Sequence, residues 1–175
     1  NGASMVTLYY LRRFQTFCYD LLNQLNIKEL TISEEVSDFL ESIFETFRKN
    51  TELLKDSMSD KNRKHIADSL GNAGTKYRNS AYSGFSQRKT TITVESLMQF
   101  LYVSQQFIDH SIKANKRSDN LYHAYNLISI DEKNEAVSVK HLYEMLEGQV
   151  AVLSSGMLDA NEVVELLNAL KNSAM

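Results

Sequence analysis

Apolar side chains recur at intervals of three and four residues along most of the chain, which is the period of one face of an α-helix. The first such stripe lies between about residues 6 and 25 and consists of Leu8, Leu11, Phe14, Cys18, Leu21, Leu22 and Leu25. We therefore predict a first amphipathic helix over this range. Its small Cys18 is expected to be buried among Phe14, Phe17 and Leu21.

Cap residues mark the starts of three further helices. Ser33 precedes two glutamates, which are favoured at the positive end of the helix dipole, and predicts a second helix that ends near residue 54. Ser59 opens a third helix, which either continues or breaks at Gly71 and Gly74, because glycine within a helix costs about 1 kcal/mol. Residues 90–94 are β-branched, but we interpret Thr93 as the cap of a fourth helix rather than as part of a strand.

The remaining segments also have a helical interpretation. We predict a short helix over about 120–127, then a polar loop at 129–136 or, less favoured, half of a small hairpin with residues 137–139. A helix from Lys140 to Leu153 follows and stops at Gly156, and Asp159 with Glu162 has capping-box spacing for a last helix. We therefore predict an all-α fold, a single domain over 1–175, built as an irregular antiparallel bundle of six or seven helices or as part of an α/α array.

Composition narrows the class of protein. The chain has 175 residues and no proline, which favours long helices, and its formal net charge of −3 argues against a nucleic-acid surface. Neither an apolar run of membrane-spanning length nor a signal peptide is apparent, so we expect a soluble, cytoplasmic protein that does not bind membranes. Because the chain begins at Asn1 and ends within a helical pattern, we expect a fragment of a longer multidomain chain.

The residue spacings give little support for a metal site or for a pair of catalytic carboxylates. The four histidines and single cysteine lack zinc-site spacing, so we predict no metal and no cofactor. Glu144 and Glu147 lie three residues apart on the helix predicted over 140–153 and could supply an acid, although two acids on a solvent-facing helix are commonplace. We therefore assign no catalytic residue.

Two segments, at about 76–85 and 115–127, combine tyrosines with cationic and amide side chains. Aromatic rings stack on the apolar face of a sugar, while charged and amide groups bind its hydroxyls. This pattern gives six candidate ligand-binding residues, Lys76, Arg78, Arg117, Tyr122, Tyr125 and Asn126. The simpler interpretation is that such tyrosines seal the rim of a helical domain. A sugar or sugar-phosphate site requires the two segments to converge on one pocket.

The segments 116–127 and 141–156, with Gly74 to Arg78 and Gly84 to Ser86, resemble part of very large bacterial proteins. Most of these proteins are uncharacterised, and some are labelled cellobiose-phosphorylase-like. The resemblance covers roughly residues 60–175 and implies a multidomain, cytoplasmic protein linked to carbohydrate metabolism. It supplies no catalytic residue that could be assigned to this chain.

Two functions therefore remain open. The favoured one is a non-catalytic helical module of a larger bacterial protein that packs on neighbouring domains or on a partner. It predicts an exposed apolar patch larger than a monomer usually shows. The alternative is a carbohydrate-active part of a glycoside phosphorylase or hydrolase, in which the six candidate residues bind a sugar or sugar phosphate and Glu144 or Glu147 acts as the acid.

Overall fold

Helices and short strands alternate along the chain. The computed structural model describes residues 2–175 and contains β1 (Gly2–Ser4), α1 (Met5–Gln24), β2 (Glu29–Ser33), α2 (Glu34–Lys49), α3 (Asp60–Ser83), β3 (Lys89–Thr93), α4 (Val94–Lys113), β4 (Tyr125–Asp131), β5 (Ala136–His141), α5 (Leu146–Ser154) and α6 (Ala160–Lys171), with a short 3₁₀ turn at Thr51–Lys55. Five strands form two antiparallel sheets, so the all-α bundle prediction is wrong. The fold is mixed α/β.

The larger sheet has the strand order β1-β4-β5. Asn126 of β4 lies opposite Ala3 of β1 on one side and His141 of β5 on the other. The helix predicted over 120–127 is wrong, since residues 120–124 are not helical and residues 125–127 belong to β4. The less favoured hairpin is confirmed, with strands at 125–131 and 136–141 in place of the predicted halves 129–136 and 137–139. β-Branched residues alternate along both hairpin strands at Ile128, Ile130, Val137 and Val139, and this period suits a strand better than a helix.

The helix predicted from Lys140 to Leu153 is also wrong at its start. Lys140 pairs with Leu127 in the sheet, and α5 begins only at Leu146. Glu144 therefore lies in the connection between β5 and α5, and Glu147 lies in the first turn of α5. The two carboxylates do not share a helix face as the sequence interpretation required.

The smaller sheet joins two similar strand–helix units, β2-α2 and β3-α4. Thr93 ends a strand and also caps a helix, because its Oγ1 accepts a hydrogen bond from Ser96 N at 3.1 Å. The cap prediction is confirmed, but the rejection of a strand was wrong. The segment 31–33 (Thr-Ile-Ser) corresponds to 91–93 (Thr-Ile-Thr), and Thr31 pairs with Thr91, its own equivalent. The two strands are therefore related by a local two-fold axis.

The other helix predictions hold with small shifts of boundary. α1 and α4 cover the predicted ranges, and α3 continues through Gly71 and Gly74 without a break. α2 ends at Lys49, before the predicted end near residue 54, and the 3₁₀ turn at Thr51–Lys55 follows it. Asp159 and Glu162 form the predicted capping box at the start of α6. The long helices therefore follow the apolar periodicity that predicted them.

The main core lies where α1, α4, α5 and α6 meet the base of the larger sheet. Its central members are Met5, Tyr9, Ile108, Ile112, Tyr122, Ala151, Val152 and Leu166. Gly148 allows α5 to approach this base closely, because a Cβ there would lie 2.9 Å from Ala124 Cβ. Phe47 extends the packing towards α2, with its ring centroid 4.6 Å from that of Phe107.

Candidate functional site

The structure places the six candidate ligand-binding residues in two groups with different neighbours. Lys76 and Arg78 lie on α3. Lys76 Nζ is 3.7 Å from an Asp38 carboxylate oxygen of α2, and Arg78 Nη2 donates to Thr75 Oγ1 at 3.0 Å. The other four candidates lie at the base of the β4–β5 hairpin, in the segment between α4 and β4 or at the start of β4.

Tyr122 is part of the core and is only 3% exposed. Its backbone N–H donates to Gln149 Oε1, and its carbonyl accepts from Gln149 Nε2, both at 2.8 Å. Burial, followed by the negative charges of Glu162 and Glu165, raises the pKa of Tyr122 to about 12. The ring packs against other core side chains and presents no open face on which a sugar could stack.

Arg117 is held between two carboxylates. Its Nη2 lies 2.8 Å from Asp119 Oδ2, and its Nη1 lies 3.2 Å from Glu144 Oε2. The hydrogen bond from Arg117 lowers the pKa of Asp119 below its ordinary value. The two acids neutralise the guanidinium, which leaves little net positive charge for a phosphate group.

Tyr125 stands beside Glu147 at the edge of this region. A hydrogen bond to the Glu147 carboxylate is the main cause that raises the pKa of the Tyr125 hydroxyl. Of the two acids considered from sequence, Glu144 is thus paired with Arg117, and Glu147 lies beside Tyr125.

Asn126 and Asn115 are buried and belong to a chain of hydrogen-bonded polar side chains that reaches His141. Asn115 Nδ2 donates to the Ser111 carbonyl at 2.7 Å, so Asn115 Oδ1 is the acceptor for Asn126 Nδ2 at 2.8 Å. Asn126 Oδ1 then faces His141 Nδ1 at 2.8 Å and must accept from it. The chain joins α4 to both strands of the hairpin, which is a structural role.

His141 stacks on His123, with ring centroids 4.1 Å apart and planes 6° from parallel. His123 Nδ1 lies 3.0 Å from the Leu142 carbonyl, which can only accept, so both rings carry their proton on Nδ1. Burial lowers the pKa of both rings, and for His123 the neighbouring His141 lowers it further. In residues 2–175, no set of three or more His, Cys, Asp or Glu side chains is arranged to bind a metal ion.

A surface feature that the sequence pattern did not locate is the outer face of α1. Phe14 is 60% exposed and Phe17 is 59% exposed, and they lie in a stripe with the exposed side chains of Tyr10, Leu11, Leu21 and Leu25. The sequence placed Cys18 in a buried setting, but it is only partly buried. We call the exposed residues Tyr10, Leu11, Phe14, Phe17, Leu21 and Leu25 the α1 outer face.

The inner face of α1 makes several directional polar contacts. Arg12 Nε donates to Asp109 Oδ1 of α4 at 2.6 Å, and Arg12 Nη1 donates to the Ser155 carbonyl at 2.9 Å. Gln15 Nε2 donates to Ser104 Oγ of α4 at 3.1 Å. These directional contacts, together with the buried Met5 and Tyr9, fix which side of the helix turns inward. The mixture of apolar residues on both sides of α1 is the sequence signal that could have revealed its exposed face.

The apolar surface continues from α1 onto α5. Tyr10 and Val6 line a cleft of about 620 Å³ with Leu146 and Val150, and both α5 side chains are more than half exposed. A fully exposed side chain presents about 200 Å² if it is aromatic and about 120 Å² if it is aliphatic. When these areas are scaled by the exposed fraction of each residue, the α1 outer face with Leu146 and Val150 presents on the order of 600 Å² of apolar surface. This is the upper end of the range for the largest apolar patch of a monomer.

The chain matches no known family model, and no curated protein matches it. None of the helices in residues 2–175 combines the length and apolarity that a membrane crossing requires. The fold and its surface therefore define a mixed α/β domain that carries an apolar helical face.

Proposed function

We propose that this chain is a non-catalytic α/β module that binds an apolar helix of a protein partner through the α1 outer face. The observation that carries the proposal is the exposure of Phe14 and Phe17 on a helix whose opposite side is anchored to the core. Exposed aromatic residues in a contiguous patch are typical of the centre of protein interfaces. A helix is the fitting partner because a straight apolar stripe matches a second stripe along its length.

The wider context is part of the same proposal. The resemblance to very large bacterial proteins suggests that such a module would serve as an assembly part within or between long chains. The sugar-binding alternative stays a prediction. It has no comparable supporting observation, because the Tyr122 ring is buried and Arg117 is paired with two acids.

Site-specific photocrosslinking tests the docking surface. p-Benzoylphenylalanine replaces Phe14 in one variant and, as the control, Tyr82 in another, since Tyr82 is 85% exposed on α3 but lies outside the α1 outer face. We expect irradiation in cells to attach a polypeptide at position 14 and not at position 82. Adding Leu21→Asp to the first variant should remove the adduct, because a carboxylate within the stripe cannot be desolvated cheaply.

Two outcomes would contradict the proposal. Equal adducts at positions 14 and 82 would indicate collisional labelling rather than a docking surface. A complete lack of adduct at position 14, with the chain folded as judged by circular dichroism, would mean that no protein covers this face.

A further inference from the structure

The spacing of the α1 outer face is that of a paired helix. Tyr10, Phe14, Phe17 and Leu21 follow one another at intervals of four, three and four residues, which is the a/d repeat of a coiled-coil seam. Leu11 and Leu25 flank this seam on one side at e positions. The charged residues Arg13 and Asp20 flank it on the other side at g positions, and both are exposed.

Arg13 and Asp20 carry opposite charges and lie on either side of the centre of the seam. Neither takes part in a salt bridge among residues 2–175, although Arg13 Nη1 donates to Ser154 Oγ at 2.9 Å. In an antiparallel helix pair the g positions of the two helices face each other, so such a pair would place Arg13 of each helix beside Asp20 of the other. The stripe is therefore complementary to a reversed copy of itself.

We propose that the partner of the α1 outer face is a second copy of this chain, bound through an antiparallel α1–α1 pair around a two-fold axis. This inference rests on the proposed docking function and specifies its partner. Phe14 packs against the partner's Phe17, and Tyr10 packs against the partner's Leu21. Each of the four seam residues therefore has an apolar partner on the other helix. Each interface has two Arg13–Asp20 ion pairs because the two-fold axis repeats every contact.

Charge selects the antiparallel arrangement over the parallel one. In a parallel pair a g position faces an e position of the other helix, so Arg13 would face the partner's Cys18 and Asp20 would face the partner's Leu25. Both charges would then lose hydration against apolar side chains without gaining a counterion. The antiparallel pair leaves Leu11 and Leu25 among apolar neighbours and gives each charge an opposite one.

The available area is consistent with a dimer. A stable interface of standard size buries about 800 Å² on each partner. The α1 outer face with Leu146 and Val150 supplies on the order of 600 Å² of apolar surface, as estimated above, and the polar rim around Arg13 and Asp20 adds to it. A surface of this composition forms a moderate, concentration-dependent dimer.

The test is the mass of the purified chain in solution, measured by sedimentation equilibrium over a range of concentrations. We expect wild type to approach twice the monomer mass of 20.0 kDa at high concentration. Phe14→Ser should raise the dimer dissociation constant by about 100-fold, because it removes a central aromatic residue from both copies. Tyr82→Ser, which removes an exposed tyrosine elsewhere, should leave the dissociation constant unchanged.

A charge exchange tests the orientation of the two helices. Arg13→Asp and Asp20→Arg should each raise the dissociation constant by about tenfold, because two attractive pairs become repulsive. The double variant R13D/D20R restores both pairs and should return to within about threefold of wild type. Asp20→Arg leaves the Arg13–Ser154 contact in place, so loss of that contact cannot explain its effect.

The possible failures separate the two proposals. A chain that stays monomeric at all concentrations would overturn self-association. The docking function would survive that result if position 14 still forms a photoadduct whose mass is not that of two copies. A dimer that is unaffected by Phe14→Ser would overturn the interface, and a double variant no better than the single ones would overturn the antiparallel arrangement.

Discussion

α1 and α4 are both 20 residues long, they pack against each other, and they use their apolar residues in opposite ways. Each is capped by a hydroxyl side chain, Ser4 for α1 and Thr93 for α4. α4 turns its apolar residues inward and buries Val94, Leu101, Phe107, Ile108 and Ile112. α1 buries only Met5, Tyr9 and Gln15, and leaves its phenylalanines outside.

The difference shows that an apolar stripe predicts a helix face that is stabilised by burial, but it does not identify the element or partner that buries it. In α4 the cover is the rest of the chain, so the stripe stabilises the fold. In α1 the chain instead turns inward the side that carries Arg12 and Gln15, whose contacts are directional. The stripe of α1 is thus available for binding, and substitutions can separate these two uses.

The largest expected effect comes from the same substitution made on each helix. Phe107→Ala should lower the free energy of unfolding by about 3–5 kcal/mol, because Phe107 is only 8% exposed and its ring contacts Phe47. Phe14→Ala should change it by less than about 0.5 kcal/mol. The measurement is urea unfolding at concentrations where the chain is monomeric. Equal losses for the two variants would mean that the α1 outer face is covered within the monomer.

The sequence predicted helices well because their signal is local. The period of three to four residues and the cap residues Ser33, Ser59, Thr93 and Asp159 are sufficient to place five of the six helices. β1, β2 and β3 were missed because their partners are distant in sequence, as in the pairing of Gly2 with Leu127. Thr93 is both the last residue of β3 and the cap of α4, and its local sequence indicates only the helix that follows.

The site was less predictable than the fold for a related reason. Tyr122, Tyr125 and Asn126 were grouped by helical spacing, but this segment is extended, so they point to different places. Tyr122 lies in the core and Asn126 lies in a buried hydrogen-bond chain. The exposure of Phe14 could not be predicted from its stripe alone, because the choice of inward face depends on Asp109 and Ser104 of α4.

The ion pair between α1 and α4 should give the next largest effect. The Arg12 and Asp109 side chains are mostly buried, and Arg12 also donates to the Ser155 carbonyl. Asp109→Ala leaves the guanidinium without its carboxylate and should lower the free energy of unfolding by about 2 kcal/mol. Glu52→Ala, which breaks an exposed pair with Lys55, should cost less than about 0.5 kcal/mol in the same urea experiment. A negligible effect of Asp109→Ala would show that this contact does not fix the inward face of α1.

The smallest expected effect has the opposite sign and concerns Gln15. Its Oε1 is buried without a hydrogen-bond partner among residues 2–175, and an unsatisfied buried acceptor costs stability. Gln15→Met keeps the length of the side chain and removes the amide, while Ser104 Oγ still donates to the Leu101 carbonyl at 3.1 Å. We therefore expect a gain of about 0.5–1 kcal/mol in the free energy of unfolding, and a loss for Gln15→Ala, which leaves a cavity. If Gln15→Met were destabilising instead, the hydrogen bond from the Gln15 amide to Ser104 would be a required contact between α1 and α4. The polar contacts of the inner face would then contribute more than Met5 and Tyr9 to which side of α1 faces the core.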